Sequence, residues 1–177
     1  AYYDTLIAKY FREQVNQQSG YPEQLTLGYR KTQDLRYGEN PHQTSAFYKS
    51  TSILHPSLGK LQQIQGKELS FNNFFDMDAA LQCVLEFDTP ACVIVKHANP
   101  CGVALGKDGL NAYTRALEAD PVSALGGIVA LNITIDESCA EKMSKKFLEV
   151  IIAPDITEGA SKILSTKQDL RVVLTGH

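Results

Sequence analysis

Lys96 and His97 stand side by side at the end of the apolar run Ala91 to Val95, and chemistry is expected from that adjacency. An imidazole titrates near neutral pH and serves as a general base; a neighbouring cation disfavours imidazolium and keeps the ring free to accept a proton. Asn99 is read as capping a helix that Pro100 opens, because a side-chain oxygen satisfies a free N–H there and proline has none to lose. Taken singly these residues have ordinary readings. A lysine at a strand end is usually solvated, a lone histidine is usually structural, and Asn-Pro is usually a cap. A second polar stretch, Leu35 to Gln43, sets Arg36, Tyr37, Asn40 and His42 around Gly38 and Pro41. Glycine and proline fix its backbone while donors point outward, the composition of a binding loop or of a solvated turn.

The elements that must position these residues follow from periodicity. Ala91 to Val95 is β-branched and free of charge, the pattern of a strand covered on both faces, and ligands bind at the carboxyl ends of such strands in open α/β sheets. Upstream, Asp4 to Gln18 carries a helical apolar stripe ended by Ser19-Gly20-Tyr21-Pro22, and is read as an arm rather than core. Leu25 to Arg30 alternates as a strand; Ser45 to Tyr48 and Lys60 to Gln65 read as two more. Asn72 or Asn73 is expected to cap a helix through Phe87, with Asp76 and Asp78 complementing its dipole. Downstream come a helix from Leu110 to Ala119, a strand from Ile128 to Leu131, a helix from Asp136 to Phe147, a strand and loop from Glu149 to Pro154, a helix from Thr157 to Ser165 and a strand from Leu170 to Leu174. Gly126 and Gly127, just before a strand, permit positive φ or close approach of a ligand to backbone. The alternation predicts a three-layer α/β protein, a mostly parallel sheet flanked by helices. Successive strand side chains face opposite ways, so regular pairing is predicted to end at or before Lys96 if Lys96 and His97 serve one substrate.

With 177 residues the chain fits one domain. Its net charge of −3 is scattered rather than blocked, so nucleic acid is not an expected partner. No apolar run is long enough to cross a bilayer and no secretory signal is visible, so no membrane association and a cytoplasmic location are expected. Cys83, Cys92, Cys101 and Cys139 are irregularly spaced and read as free thiols. The chain begins without Met and stops just after an apparent strand, so a piece of a larger protein is expected.

His97-Ala98-Asn99 with Pro100-Cys101 invites comparison with zinc nucleobase deaminases, whose signature joins H-x-E to P-C-x-x-C. Asn99 stands where the acid/base Glu would be and Ala104 where the second Cys ligand would be, so no catalytic metal is expected. Phosphate-loop, dinucleotide-binding and nucleophile-elbow motifs do not occur. The blocks Leu35 to Gln43, Lys67 to Asn73, Asp76 to Ala80, Val95 to Gly102, Asp120 to Gly127 and Ile151 to Pro154 together resemble, in order and across nearly the whole chain, the bifunctional purine biosynthesis family PurH.

That resemblance implies formyl transfer from 10-formyltetrahydrofolate, as formyl-donor co-substrate, to aminoimidazole carboxamide ribotide (AICAR), in a parent protein that also closes the ring to IMP. It implies a linker helix over 1–20 and, over 21–177, the first cytidine-deaminase-like half of a transformylase domain that works as a homodimer. Lys96 and His97 match the family's catalytic pair. Arg36 and Tyr37 match positions holding the ribotide at its phosphate, where a guanidinium fork pairs well with oxygens. Gly126 matches a backbone contact to the nucleotide, Glu149 falls where other members carry an acid near the substrate, and Asn99 is taken with them as a substrate contact. The rival expectation is a deaminase-like module, catalytically empty and kept for binding or assembly, or a fragment inactive without the rest of the protein.

Overall fold

The computed structural model describes residues 2–15, 24–50 and 58–176. Its body is a six-stranded sheet in the order β3-β8-β7-β6-β4-β5: β3 Gln62–Gln65, β4 Ala91–Lys96, β5 Asn99–Leu105, β6 Ile128–Leu131, β7 Val150–Ala153 and β8 Arg171–Leu174. Alternation sorts the strand residues onto two cores. Val93, Val95, Ile128, Ala130, Val150, Ile152 and Val173 pack under helix α2 (Phe71–Val84), while Cys92, Ile94, Val129, Leu131, Ile151 and Val172 pack under α3 (Gly109–Ala119), α4 (Glu137–Ser144) and α5 (Glu158–Leu164). The expected three-layer α/β architecture is present, with a mixed rather than mostly parallel sheet. Among the described strands of this sheet, β6–β7 and β7–β8 run parallel, and β3–β8, β4–β6 and β4–β5 are antiparallel.

The largest departure from the sequence reading is local. Asn99 caps no helix, and Pro100 opens none: both begin β5, which turns straight back along β4. Pro100 is tolerated because β5 is the edge strand and the register shifts by one residue between Ile94 and Val95, where no ladder N–H is demanded of it. Regular pairing ends at Lys96↔Asn99 and the chain bends at His97, as strand alternation required.

A two-stranded ribbon, β1 Tyr29–Leu35 with β2 Ser45–Ser50, lies beside α2, where the Phe47 and Phe74 rings stack at 4.3 Å. The strand expected from Leu25 starts only at Tyr29, because pairing with β2 sets it and its polar sequence has no buried face to alternate against. None of the described side chains of helix α1 (Tyr2–Val15) joins either core; Arg12 Nη1 donates to Thr26 Oγ1 at 3.2 Å, and Tyr3, Tyr10 and Phe11 stay exposed. The expected helix end at Gln18, its terminator and the domain boundary at residue 20 lie outside the described residues.

The N-cap of α2 is Ser70, not Asn72 or Asn73. Its hydroxyl accepts from the Asn73 N–H at 3.3 Å, and the Asn73 side-chain oxygen accepts from the Ser70 N–H at 3.1 Å, a reciprocal capping box. Both residues are buried, so Ser70→Ala is expected to cost about 1–2 kcal/mol. Urea unfolding measures this, and a loss below roughly 0.3 kcal/mol would mean that the box is not formed in solution. All four cysteines are free. Burial pushes the Cys139 thiol up to about 12 and the Cys92 thiol well up too, so both are inert at neutral pH.

Candidate functional site

Because β4 runs against β6, its carboxyl end meets the amino ends of β6, β7 and β8, as the registers Val95↔Ile128, Ile128↔Val150 and Val150↔Arg171 show. Lys96, His97, Asn99, Gly126 and Glu149 therefore lie along one edge of the sheet, although they come from three separate connections, β4–β5, α3–β6 and α4–β7. The expected edge is right for β4, but for the parallel strands β7 and β8 it is the amino end.

A cleft of about 720 Å³ opens at this edge. Arg36 and Tyr37 line it together with Glu149, as do Ser70 and Asn73 from the start of α2. The Arg36 guanidinium carbon sits 5.7 Å from the Tyr37 ring centroid, so the ring steadies the charge. Behind them the loop is stapled by Gln43: its backbone oxygen accepts from the Gly38 N–H at 2.9 Å and its side-chain oxygen from the Asn40 N–H at 2.8 Å. Gly38 is needed there, since a Cβ would come within 2.8 Å of the Gln43 Cβ. Asn40 and His42 are exposed and stay out of the cleft.

Five further cations line the same cleft: Lys67, Lys145, Lys146, Lys167 and Arg171. Only Glu149 and Asp169 oppose them, and Asp169 is already paired with Lys67 at 2.9 Å. Clefts lined by one sign of charge concentrate ligands of the other. Sequence reasoning missed these residues, because each reads as a solvated charge at the end of a helix or strand; the one available signal was the Lys145-Lys146 pair at a helix terminus.

Lys96, His97, Asn99 and Gly126 do not line the cleft. Lys96 projects to the α3 side of the sheet with Cys92 and Ile94, and its Nζ donates to the Leu125 carbonyl at 2.8 Å. That bond ties it to Gly126, which has φ 72° and donates its N–H to the Phe147 carbonyl at 2.8 Å. A Cβ on Gly126 would lie 3.2 Å from the Phe147 ring, and Phe147 borders the cleft. Glu149 is aimed by Asn73, whose Nδ2 donates to Glu149 Oε2 at 3.1 Å. His97 heads a two-residue turn, and the Asn99 side chain donates to its carbonyl at 2.8 Å.

The first turns of α2 tie the parts together. Asn72 Nδ2 reaches the Glu39 carbonyl of the Arg36 loop at 3.4 Å, Asn73 holds Glu149, and Asp76 Oδ1 accepts from the Ala98 N–H at 2.8 Å. Asp76 and Asp78 lie beyond the first turn of α2, so the expected dipole role does not hold, and Asp76 serves the Ala98 amide instead. Among the described residues no group of three or more His, Cys, Asp or Glu side chains converges as a metal site would, and no helix is long and apolar enough to cross a membrane.

Fold and cleft define the class: a three-layer α/β protein with a cation-lined cleft at one edge of its sheet. The chain belongs to the AICARFT/IMPCHase bienzyme family, whose model matches residues 1–177. This is a family of purine biosynthesis, pairing formyltransferase and cyclohydrolase activities. Among solved structures, the chain is similar to Acinetobacter baumannii RibD. Form 1 is 17% identical over 52% of this chain and 33% of RibD, with a TM-score of 0.43. Form 2 is 18% identical over 47% and 28%, with a TM-score of 0.39. The chain thus spans about a third of the length of that protein.

Proposed function

We propose that this chain supplies ribotide-binding and proton-transfer residues for formyl transfer from 10-formyltetrahydrofolate to the amine of AICAR, within a homodimeric protein that also closes the ring to IMP. The observation that carries this reading is the cleft itself: in a member of the AICARFT/IMPCHase family, Arg36, Tyr37 and Glu149 meet in a pocket whose remaining charge is mostly positive. A ribotide offers a phosphate dianion, which Arg36 can grip through two parallel N–H bonds. The other cations suit the remaining anionic groups of both substrates.

The AICAR amine is a poor nucleophile because its lone pair is delocalised toward the carboxamide. As its nitrogen attacks the formyl carbon, His97 takes the amine proton, and the formyl oxygen becomes an oxyanion. The Lys96 ammonium spends one donor on Leu125 and keeps two for that oxygen. Collapse then breaks the bond from the formyl carbon to N10 of the folate, N10 takes the proton that His97 had accepted, and formyl-AICAR and tetrahydrofolate are released. Exposed Val122, Leu125 and Phe147 flank this edge and suit a surface that a partner subunit completes.

Titration with AICAR tests the reading. Saturable binding is expected to weaken by roughly 10–100-fold in Arg36→Ala, the loss of a charge-assisted contact. Binding by the full-length protein that is indifferent to Arg36 would favour the rival, a deaminase-like module kept for assembly.

A further inference from the structure

We propose that Asp76 is a positioning residue for His97, holding the turn that presents the imidazole. The inference rests on the reading of His97 as the base. His97 and Ala98 are the two central residues of the β4–β5 hairpin and have φ of 53° and 57°. Two positive φ angles are what a tight hairpin with right-handed strand twist demands, and Gly, Asn and Asp are the residues that accept them readily. Neither position carries one of these. A histidine and an alanine held in left-handed backbone must be over-determined by their surroundings.

The surroundings supply two hydrogen bonds. One is local, from Asn99 Nδ2 to the His97 carbonyl. The other crosses 22 residues, from the Ala98 N–H to Asp76 Oδ1 at 2.8 Å. In a two-residue hairpin the ladder uses the flanking residues, so the N–H of the second central residue has no strand partner of its own. Asp76 captures that donor. Its carboxylate makes the bond charge-assisted, and its helix is a firm mount: the capping box fixes the start of α2, while Phe74, Met77 and Ala80 are buried around Asp76. Fixing the peptide between His97 and Ala98 fixes the direction in which His97 leaves the backbone. Neither Asp76 nor Asp78 lies in the first turn of α2, where the dipole acts, so a dipole role does not account for Asp76.

The test compares Asp76→Ala, Asp76→Asn, Asp76→Ala with Ala98→Gly, and His97→Ala in the full-length protein. Steady-state kinetics, AICAR binding and hydrogen exchange of the Ala98 amide are the readouts. Asp76→Ala is expected to lower kcat about 100-fold with AICAR affinity changed less than about threefold, the signature of a misplaced reacting group. Asp76→Asn keeps an acceptor oxygen at the same place and is expected to lose less than about tenfold. Ala98→Gly, which accepts the turn without help, is expected to recover at least about fivefold in the Asp76→Ala background. The Ala98 amide is expected to exchange at least about tenfold faster in Asp76→Ala. If Asp76→Ala does not fold, Asp76→Glu, which moves the oxygens by one methylene, is expected to lose at least about tenfold in kcat. A kcat within threefold of wild type in Asp76→Ala, with His97→Ala impaired, overturns the inference and leaves the base assignment standing. An unimpaired His97→Ala overturns the base assignment, and the amide then decides: unchanged exchange overturns the hold on the turn, and faster exchange sustains it.

Discussion

His97→Ala is expected to lower kcat by about 10²–10⁴-fold while leaving AICAR affinity nearly intact, because a general base acts on the transition state rather than on the bound ribotide. The geometry sharpens the expectation. His97 does not line the cleft that holds Arg36 and Tyr37, so deleting its ring removes little ground-state contact. Lys96 divides its work differently, since its ammonium is tied to the Leu125 carbonyl. Lys96→Ala is expected to cost roughly 10²–10³-fold in kcat, and Lys96→Arg to restore only part, because a planar guanidinium cannot place its charge where an ammonium did. Measuring kcat and KM for the three variants decides the matter. A raised KM with unchanged kcat in His97→Ala would make His97 a binding residue and the mechanism wrong.

The second large effect concerns stability. Gly102 on β5 is buried against α3, and a Cβ there would sit 2.1 Å from the Ala116 carbonyl oxygen and 2.9 Å from its carbon. Both neighbours are backbone, so no side chain can swing away and the edge strand or the helix must shift. Gly102→Ala is expected to cost about 3 kcal/mol and to lower Tm by roughly 6–12 °C. Gly109→Ala is the control, because its Cβ would meet nothing closer than 3.5 Å and lies in helix α3, where alanine is preferred. Thermal unfolding of both variants settles the point: equal melting temperatures would show that β5 and α3 do not approach as closely as described.

Much of this molecule was legible before its structure. The β-branched run of β4 and the stripes of α2, α3, α4 and α5 are local patterns, and each element lies within a few residues of where periodicity puts it. The end of pairing at Lys96 was legible too, since strand alternation requires it if Lys96 and His97 are to serve one substrate. The hairpin was not. His-Ala lacks the glycine or asparagine that marks a two-residue turn, and Asn99-Pro100 mimics a helix start. Only pairing along the edge of β4, together with an acceptor from α2, makes the turn the better solution.

Sequence by itself determined the helices α2 to α5, the two-faced burial of the central strands and the residue types able to transfer a proton or bind a phosphate, because those depend on neighbours along the chain. Tertiary structure decided strand direction, which turned an expected parallel sheet into a mixed one, and it decided which charges share a site. Arg36, Lys67, Lys145, Lys146, Lys167 and Arg171 are scattered in a chain of net charge −3, yet they line one cleft. The physical reason is that charge acts through space: parallel pairing of β7 with β8 sets the α4–β7 and α5–β8 connections side by side, and with the residues after β1 and before α2 they bring together cations up to 135 residues apart in the chain, from 36 to 171.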